Sequence, residues 1–184
     1  MRRLAVPGLI TLIAAALLAL LAFGVANDSD NSSLDAQVAS GHFPVAPTAH
    51  LKLPLLVSGK NESLASLRGH VVMVDFFAGW CTACQDDAGV VANAERRLEK
   101  AGGMVIGVTY DDSSSDALSY MKQYHLSFPV LHDANGDLAS AYGVDGVPET
   151  FIINAKGKVV ALRREQLVQS WMTKTLNQVL TNAA

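Results

Sequence analysis

Cys81 and Cys84 are the only cysteines in this 184-residue chain, and only Thr82 and Ala83 stand between them. The pair falls where the sequence changes period. Before it, Val71-Val72-Met73-Val74-Asp75-Phe76-Phe77 is a nearly continuous apolar run, which reads as a strand buried on both faces. After it, from Thr82 to about Ala101, Val90, Val91, Ala94 and Leu98 recur at helical spacing. Glu95, Arg96, Arg97, Glu99 and Lys100 are expected on the wet side, and Gly102-Gly103 to end the helix. A helix N-terminus carries partial positive charge and unpaired N–H groups, so it stabilises a thiolate at Cys81. Cys-x-x-Cys at a strand-to-helix junction is the layout of a dithiol/disulfide redox centre.

Other uses of two cysteines fit less well. A bridge closing so small a loop removes little chain entropy from the unfolded state and is a poor staple. A structural zinc site needs about four ligands, and His42, His50, His70, His125 and His132 include no pair at zinc-ligand spacing. Gln85, not His, follows Cys84, so a Cys-x-x-Cys-His haem attachment is unsupported. No metal site and no cofactor are expected.

The N-terminus bounds the compartment. Arg2-Arg3 precede a charge-free apolar run from Leu4 to Ala26, and Asp28 and Asp30 follow it. At ~1.5 Å per residue the run can cross a ~30 Å hydrocarbon core. The flanking charges then put the N-terminus in the cytoplasm and the remainder outside. Residues 1–26 are thus expected to be a signal-anchor helix. Gly24-Val25-Ala26 offers the alternative of signal cleavage near Ala26 and secretion. Either way the rest is extracytoplasmic, where disulfide chemistry belongs. Residues 27–50, rich in Asn, Asp, Ser, Ala and Pro with no sustained period, are expected to be a flexible linker. Residues 51–184 remain for one domain with a real core. Without Arg2 and Arg3, 12 basic residues face 17 acidic ones, a formal −5. No basic patch appears, so nucleic-acid binding is disfavoured.

The domain reads as α/β. Leu51–Val57 is expected as an edge strand because of Pro54, Ser63–Arg68 as a short turn or 3₁₀ segment and Met104–Tyr110 as a second buried strand. Asp116–Tyr124 is expected as a helix, Phe128–Leu131 as an extended piece and Leu138–Tyr142 as a helical turn. Thr150–Asn154 and Lys158–Leu162 form a hairpin, and Glu165–Leu180 a final amphipathic helix. This order describes a central mixed sheet with helices on both faces. Asp75 is the odd residue in its strand. Burying its carboxylate is costly, so its pKa should rise, and it is poised to take a proton from Cys84.

These residues resemble a known family. Val74-Asp75-Phe76-Phe77-Ala78-Gly79-Trp80-Cys81-Thr82-Ala83-Cys84 is similar to the thioredoxin active-site signature. Gly146-Val147-Pro148-Glu149-Thr150-Phe151 is similar to the cis-proline segment of that fold. With Ser63–His70 and the apolar leader, the chain resembles the membrane-anchored, extracytoplasmic thiol–disulfide oxidoreductases of the TlpA/ResA/CcmG type. The resemblance implies a thioredoxin-like fold. It also implies protein substrates with disulfides or thiols, apocytochrome c among them, and a membrane electron donor of thiol-transfer type. A monomer held to the membrane by its N-terminal helix is expected. Cys81 is then the exposed nucleophile and Cys84 the resolving thiol. Asp75 matches the buried Asp of thioredoxins, where many tethered relatives carry Asn. Asp87 stands where the tethered branch commonly has a Glu that tunes the cysteines, while Asp86 reads as solvated. Pro148 is expected to be cis and to face the cysteines, leaving the Val147 backbone free to pair with a substrate strand. Trp80 is expected beside the site. Glu149 is a candidate substrate contact or a rim charge. Thr82-Ala83 lacks the proline usual between the cysteines, so the direction of electron flow is open.

Alternatives stay in view. A disulfide-forming oxidant would use the same scaffold. A peroxiredoxin-like peroxidase would need Thr-x-x-Cys, whereas Thr82 is followed by Ala83-Cys84. A metal-binding thiol module would use the cysteines as ligands.

Overall fold

The computed structural model describes residues 14–17 and 29–181. The expected anchor, 1–26, lies almost wholly outside them. No helix among the described residues is long and apolar enough to cross a membrane.

Five strands form the central sheet in the order β5-β4-β3-β6-β7. They are β3 (Val72–Phe77), β4 (Met104–Thr109), β5 (Val130–Leu131), β6 (Glu149–Ile153) and β7 (Val159–Arg163). β3 runs parallel to β4, and β4 to β5; β6 is antiparallel to both β3 and β7. β3 is the middle strand, and all six of its residues are buried. Such a strand has no wet face, so the sequence shows an apolar run broken only by Asp75 rather than alternation.

Side-chain parity divides the core into two layers. Met73 and Phe77 point to the layer covered by α2 (Thr82–Lys100), α3 (Ser114–Gln123) and α5 (Gln169–Thr181). Val72, Val74 and Phe76 point to the layer covered by α1 (Ser29–Ala39) and α4 (Asp137–Tyr142). There Phe76, Tyr142 and Phe151 pack with ring centroids 4.9–5.7 Å apart. The fold is thus a mixed sheet with helices on both faces, as the sequence implied.

The buried stripe of α2 is Cys84, Asp87, Ala88, Val91, Ala94, Glu95 and Leu98. Glu95 departs from the expected solvent face: it is buried and accepts a hydrogen bond from Ser127 Oγ at 2.7 Å. Gly102 takes φ +74° and Gly103 N–H bonds back to the Leu98 carbonyl at 2.8 Å, a left-handed stop that glycine adopts without steric cost.

Two expectations need correction. Residues 27–50 are not a free linker over their described part. Ser29–Ala39 is helix α1, and Leu34, Ala46 and Ala49 are buried in the second layer. Among the described side chains of this segment, Leu34, Ala46 and Ala49, with Val38 packed against them, make the apolar contacts there, too few to register as a period in a polar segment. Leu51–Val57 is not one strand. Leu53–Pro54 (β1) pairs with Asn61–Glu62 (β2) in a separate ribbon. Pro54 has no N–H for a longer ladder; its carbonyl accepts from His132 N–H at 2.9 Å.

Candidate active site

The site is assembled where β3 ends and α2 begins. After Phe77, Ala78-Gly79-Trp80 turns the chain, and Cys81 caps α2. Its Sγ accepts from Cys84 N–H at 3.0 Å, occupying one of the unpaired donors at the helix start. No acidic residue lies in the first turn of α2, so nothing there offsets the positive helix end that favours a thiolate. Cys81 and Cys84 are joined as a disulfide with Cα atoms 5.3 Å apart. Cys81 was expected at the surface; the residue is only 4% exposed. The loop before β6 covers it, and Cys81 Sγ lies 3.4 Å from the Val147 carbonyl oxygen.

The Val147–Pro148 bond is cis, as expected. Ala83, Gly146, Val147, Pro148, Gln166 and Val168 line an open groove alongside the disulfide. Trp80, next to Cys81 in the chain, presents an exposed indole ring, held by its Nε1–H donating to the Asp111 carbonyl at 2.9 Å. Asp111 itself takes φ +44°.

Asp75 lies on the sheet face beneath α2. It pairs across the strands with Thr150 and Gly107. Its Oδ1 accepts from Thr150 Oγ1 at 2.8 Å. Burial pushes its carboxyl up to about 7; the Thr150 bond opposes this and the nearby Asp87 charge adds to it. A carboxyl at that value takes or releases a proton near neutral pH.

Asp87 is buried rather than solvated. Its Oδ2 accepts from Leu167 N–H at 2.8 Å, turning the group toward the segment that leads into α5. Burial raises its carboxyl to about 6; the Leu167 bond opposes, the Asp86 charge adds, and Arg163 opposes. Asp86 is exposed, as expected, and accepts from Gln166 Nε2 at 3.3 Å.

Glu149 lines the same groove but is not an exposed rim charge. The residue is 5% exposed, and its carboxylate accepts from Arg164 and from Asp145 N–H. Burial raises its carboxyl above the ordinary value despite Arg164. Two further residues escaped the sequence reading. Tyr120 stacks on Phe77 with centroids 5.0 Å apart, and its hydroxyl donates to the Cys84 carbonyl at 2.9 Å. Arg164 holds Glu149 from a position fifteen residues later. Tyr120 was legible only as an apolar position of a helix, and nothing local marks Arg164's partners. Among the described residues, no group of three or more His, Cys, Asp or Glu could hold a metal ion.

A redox disulfide capping a helix, on this mixed sheet and opposite a cis-proline loop, defines a thioredoxin-like thiol–disulfide oxidoreductase. Relatives bear that class out. The chain belongs to the AhpC/TSA family, which matches residues 45–162. It is 30% identical over 122 residues to thiol-disulfide oxidoreductase ResA of Bacillus subtilis, covering 66% of this chain and 68% of that one. It is also 30% identical over 131 residues to the thiol:disulfide interchange protein DsbE of Pseudomonas fluorescens, covering 71% and 68%. Among solved structures, a Chlorobium tepidum protein described as a DsbE-type thiol:disulfide interchange protein superimposes with TM-score 0.67 at 26% identity, covering 77% of this chain and 97% of that one.

Proposed function

We propose that this chain is an extracytoplasmic reductase of protein disulfides, tethered by its N-terminal apolar run, with apocytochrome c as the leading substrate and a membrane dithiol carrier as electron donor. The observation that carries the reading is the seating of the Cys81–Cys84 pair against the Val147 carbonyl, 3.4 Å from Cys81 Sγ. A cysteine-bearing substrate strand that pairs with the Val147 backbone brings its sulfur to Cys81. The charge-free run after Arg2-Arg3 supports the compartment.

In the reduced enzyme, the Cys81 thiolate attacks one sulfur of a substrate disulfide. An enzyme–substrate S–S bond forms, the substrate bond breaks, and the departing thiolate takes a proton from water. Cys84 then gives its proton to the Asp75 carboxylate and attacks Cys81 Sγ. The mixed disulfide breaks, Cys81–Cys84 forms, and the second substrate thiol leaves. Two electrons have passed to the substrate, and the carrier dithiol restores the pair by the same exchange. Trp80 and the groove at Val147-Pro148 hold the substrate chain, and Asp87 tunes the cysteines through the packing of α2.

Cys84→Ser tests the order of events. It should accumulate a mixed disulfide through Cys81 with native substrates, recoverable by mass spectrometry. Cytochrome c precursors among the trapped chains support the substrate assignment. No trapped species, or trapping that persists in Cys81→Ser/Cys84→Ser, counts against Cys81 as nucleophile.

A further inference from the structure

We infer that Arg164 is the positioning residue of the substrate loop, and that the N-terminal helix α1 completes this assembly through Asp35. The inference rests on the reading of Val147-Pro148 as the substrate platform.

Arg164 follows directly on β7, and its guanidinium is surrounded. Nε–H donates to Asp35 Oδ1 at 3.1 Å and Oδ2 at 2.8 Å, and Nη2 lies 2.8 Å from the same Oδ2. Nη1 donates to the Gly143 carbonyl at 2.8 Å and to Glu149 Oε2. Nη2 also donates to the Tyr142 carbonyl at 3.1 Å. The cation stands 5.3 Å from the Phe151 ring centroid. All three nitrogens are committed, in the planar fork that lysine cannot reproduce.

These contacts converge on one segment. Tyr142 and Gly143 begin the loop that reaches Pro148. Glu149 follows the proline, and its Oε1 accepts from Asp145 N–H at 3.3 Å. The Asp145 carbonyl accepts from Tyr110 Oη at 3.1 Å. Arg164 therefore grips both ends of residues 142–149, and Glu149 carries the grip to the middle. Asp35 lies well away in sequence, on a helix outside the sheet and its crossovers. It contributes a carboxylate, 38% exposed, that holds Arg164 in this pose. A segment that would otherwise serve only as a tether thus sets the loop on which substrate is received.

The test uses Asp35→Asn in the full detergent-solubilised chain, because losing Arg164 would strand a buried Glu149 carboxylate and endanger folding. Insulin is the protein-disulfide probe and 5,5′-dithiobis(2-nitrobenzoate) the small one. Asp35→Asn should raise the KM for insulin roughly fivefold with kcat within about twofold, the scale of coupling inside one hydrogen-bonded network. Reduction of the small disulfide, which does not span the loop, should stay within about twofold of the parent. Asp35→Glu should restore the insulin KM. An unchanged insulin KM, or an equal loss on both probes, overturns the proposal. If the parent reduces neither probe, the reductase reading fails, and hydrogen exchange of the Asp145 amide decides the positioning question. Faster exchange in Asp35→Asn upholds it, and unchanged exchange overturns it.

Discussion

At the scale of the residue, Asp75 carries the most chemistry per atom. Its carboxyl sits at about 7 in the folded protein against 3.8 ordinarily, chiefly through burial. Between those values the native state binds more protons than the unfolded state, so stability falls as pH rises. The contribution is fully present below about pH 4 and lost as pH passes 7. In the oxidised protein, where the cysteines do not titrate, Asp75→Asn should therefore be the more stable chain at pH 8, and the advantage should shrink toward pH 4. The gap should reach a few kcal/mol, since each tenfold change in proton affinity carries about 1.4 kcal/mol. Urea unfolding at both pH values checks it; a pH-independent gap would mean that Asp75 does not titrate from a buried pose. The same substitution should slow resolution by Cys84 more than attack by Cys81, read by rapid-quench kinetics. Equal slowing of both steps would remove the proton-acceptor role. Asp75 was legible because one acid interrupts an apolar strand. Asp87 was legible as a candidate only through resemblance, and the burial of Glu149 was not legible because its partner, Arg164, is distant in sequence.

At the scale of the element, the turn joining β3 to α2 aims both cysteines. It is close-packed against α3. A Cβ on Gly79 would lie 2.7 Å from the Asp116 carbonyl oxygen, and Gly79 N–H donates to Asp112 Oδ2 at 2.7 Å. Backbone cannot yield there as a side-chain tip can. Gly79→Ala should cost roughly 1–3 kcal/mol, the usual penalty of overpacking, seen as a lower urea midpoint in the oxidised protein. An unchanged midpoint would show that α3 does not approach so closely. Strands and helices of the central sheet and its covering layers, α1 aside, were readable to within a few residues because period and composition mark them, while the β1–β2 ribbon was not. Nor was helix α1. Its sequence, Ser-Asp-Asn-Ser-Ser-Leu-Asp-Ala-Gln-Val-Ala, has one buried leucine and no apolar stripe. Tertiary contacts hold it, among them Leu34 in the second core layer and Asp35 on Arg164. Long-range pairs of this kind leave no local pattern to read.

At the scale of the whole molecule, the sheet brings together parts distant in the chain. Cys81 comes from the β3–α2 turn, Val147-Pro148 from the approach to β6, and Asp75 and Thr150 from adjacent strands. The Cys pair and the proline segment were legible as motifs, and the sheet explains why they meet. The hub at Arg164 was not legible, because Asp35, Tyr142, Gly143 and Glu149 share no spacing that one residue type could announce. The direction of electron flow is a property of the whole site. The helix start stabilises the Cys81 thiolate, while the buried Asp75 and Asp87 resist a further negative charge nearby. The reduction potential of the Cys81–Cys84 couple reports their balance. Equilibrated in full-length protein against glutathione or dithiothreitol buffers at pH 7, it should lie near the ~−270 mV of thioredoxin, as a donor of electrons requires. A value near ~−120 mV, that of a strong oxidant, would contradict the reductase assignment and make the protein a disulfide-forming enzyme instead.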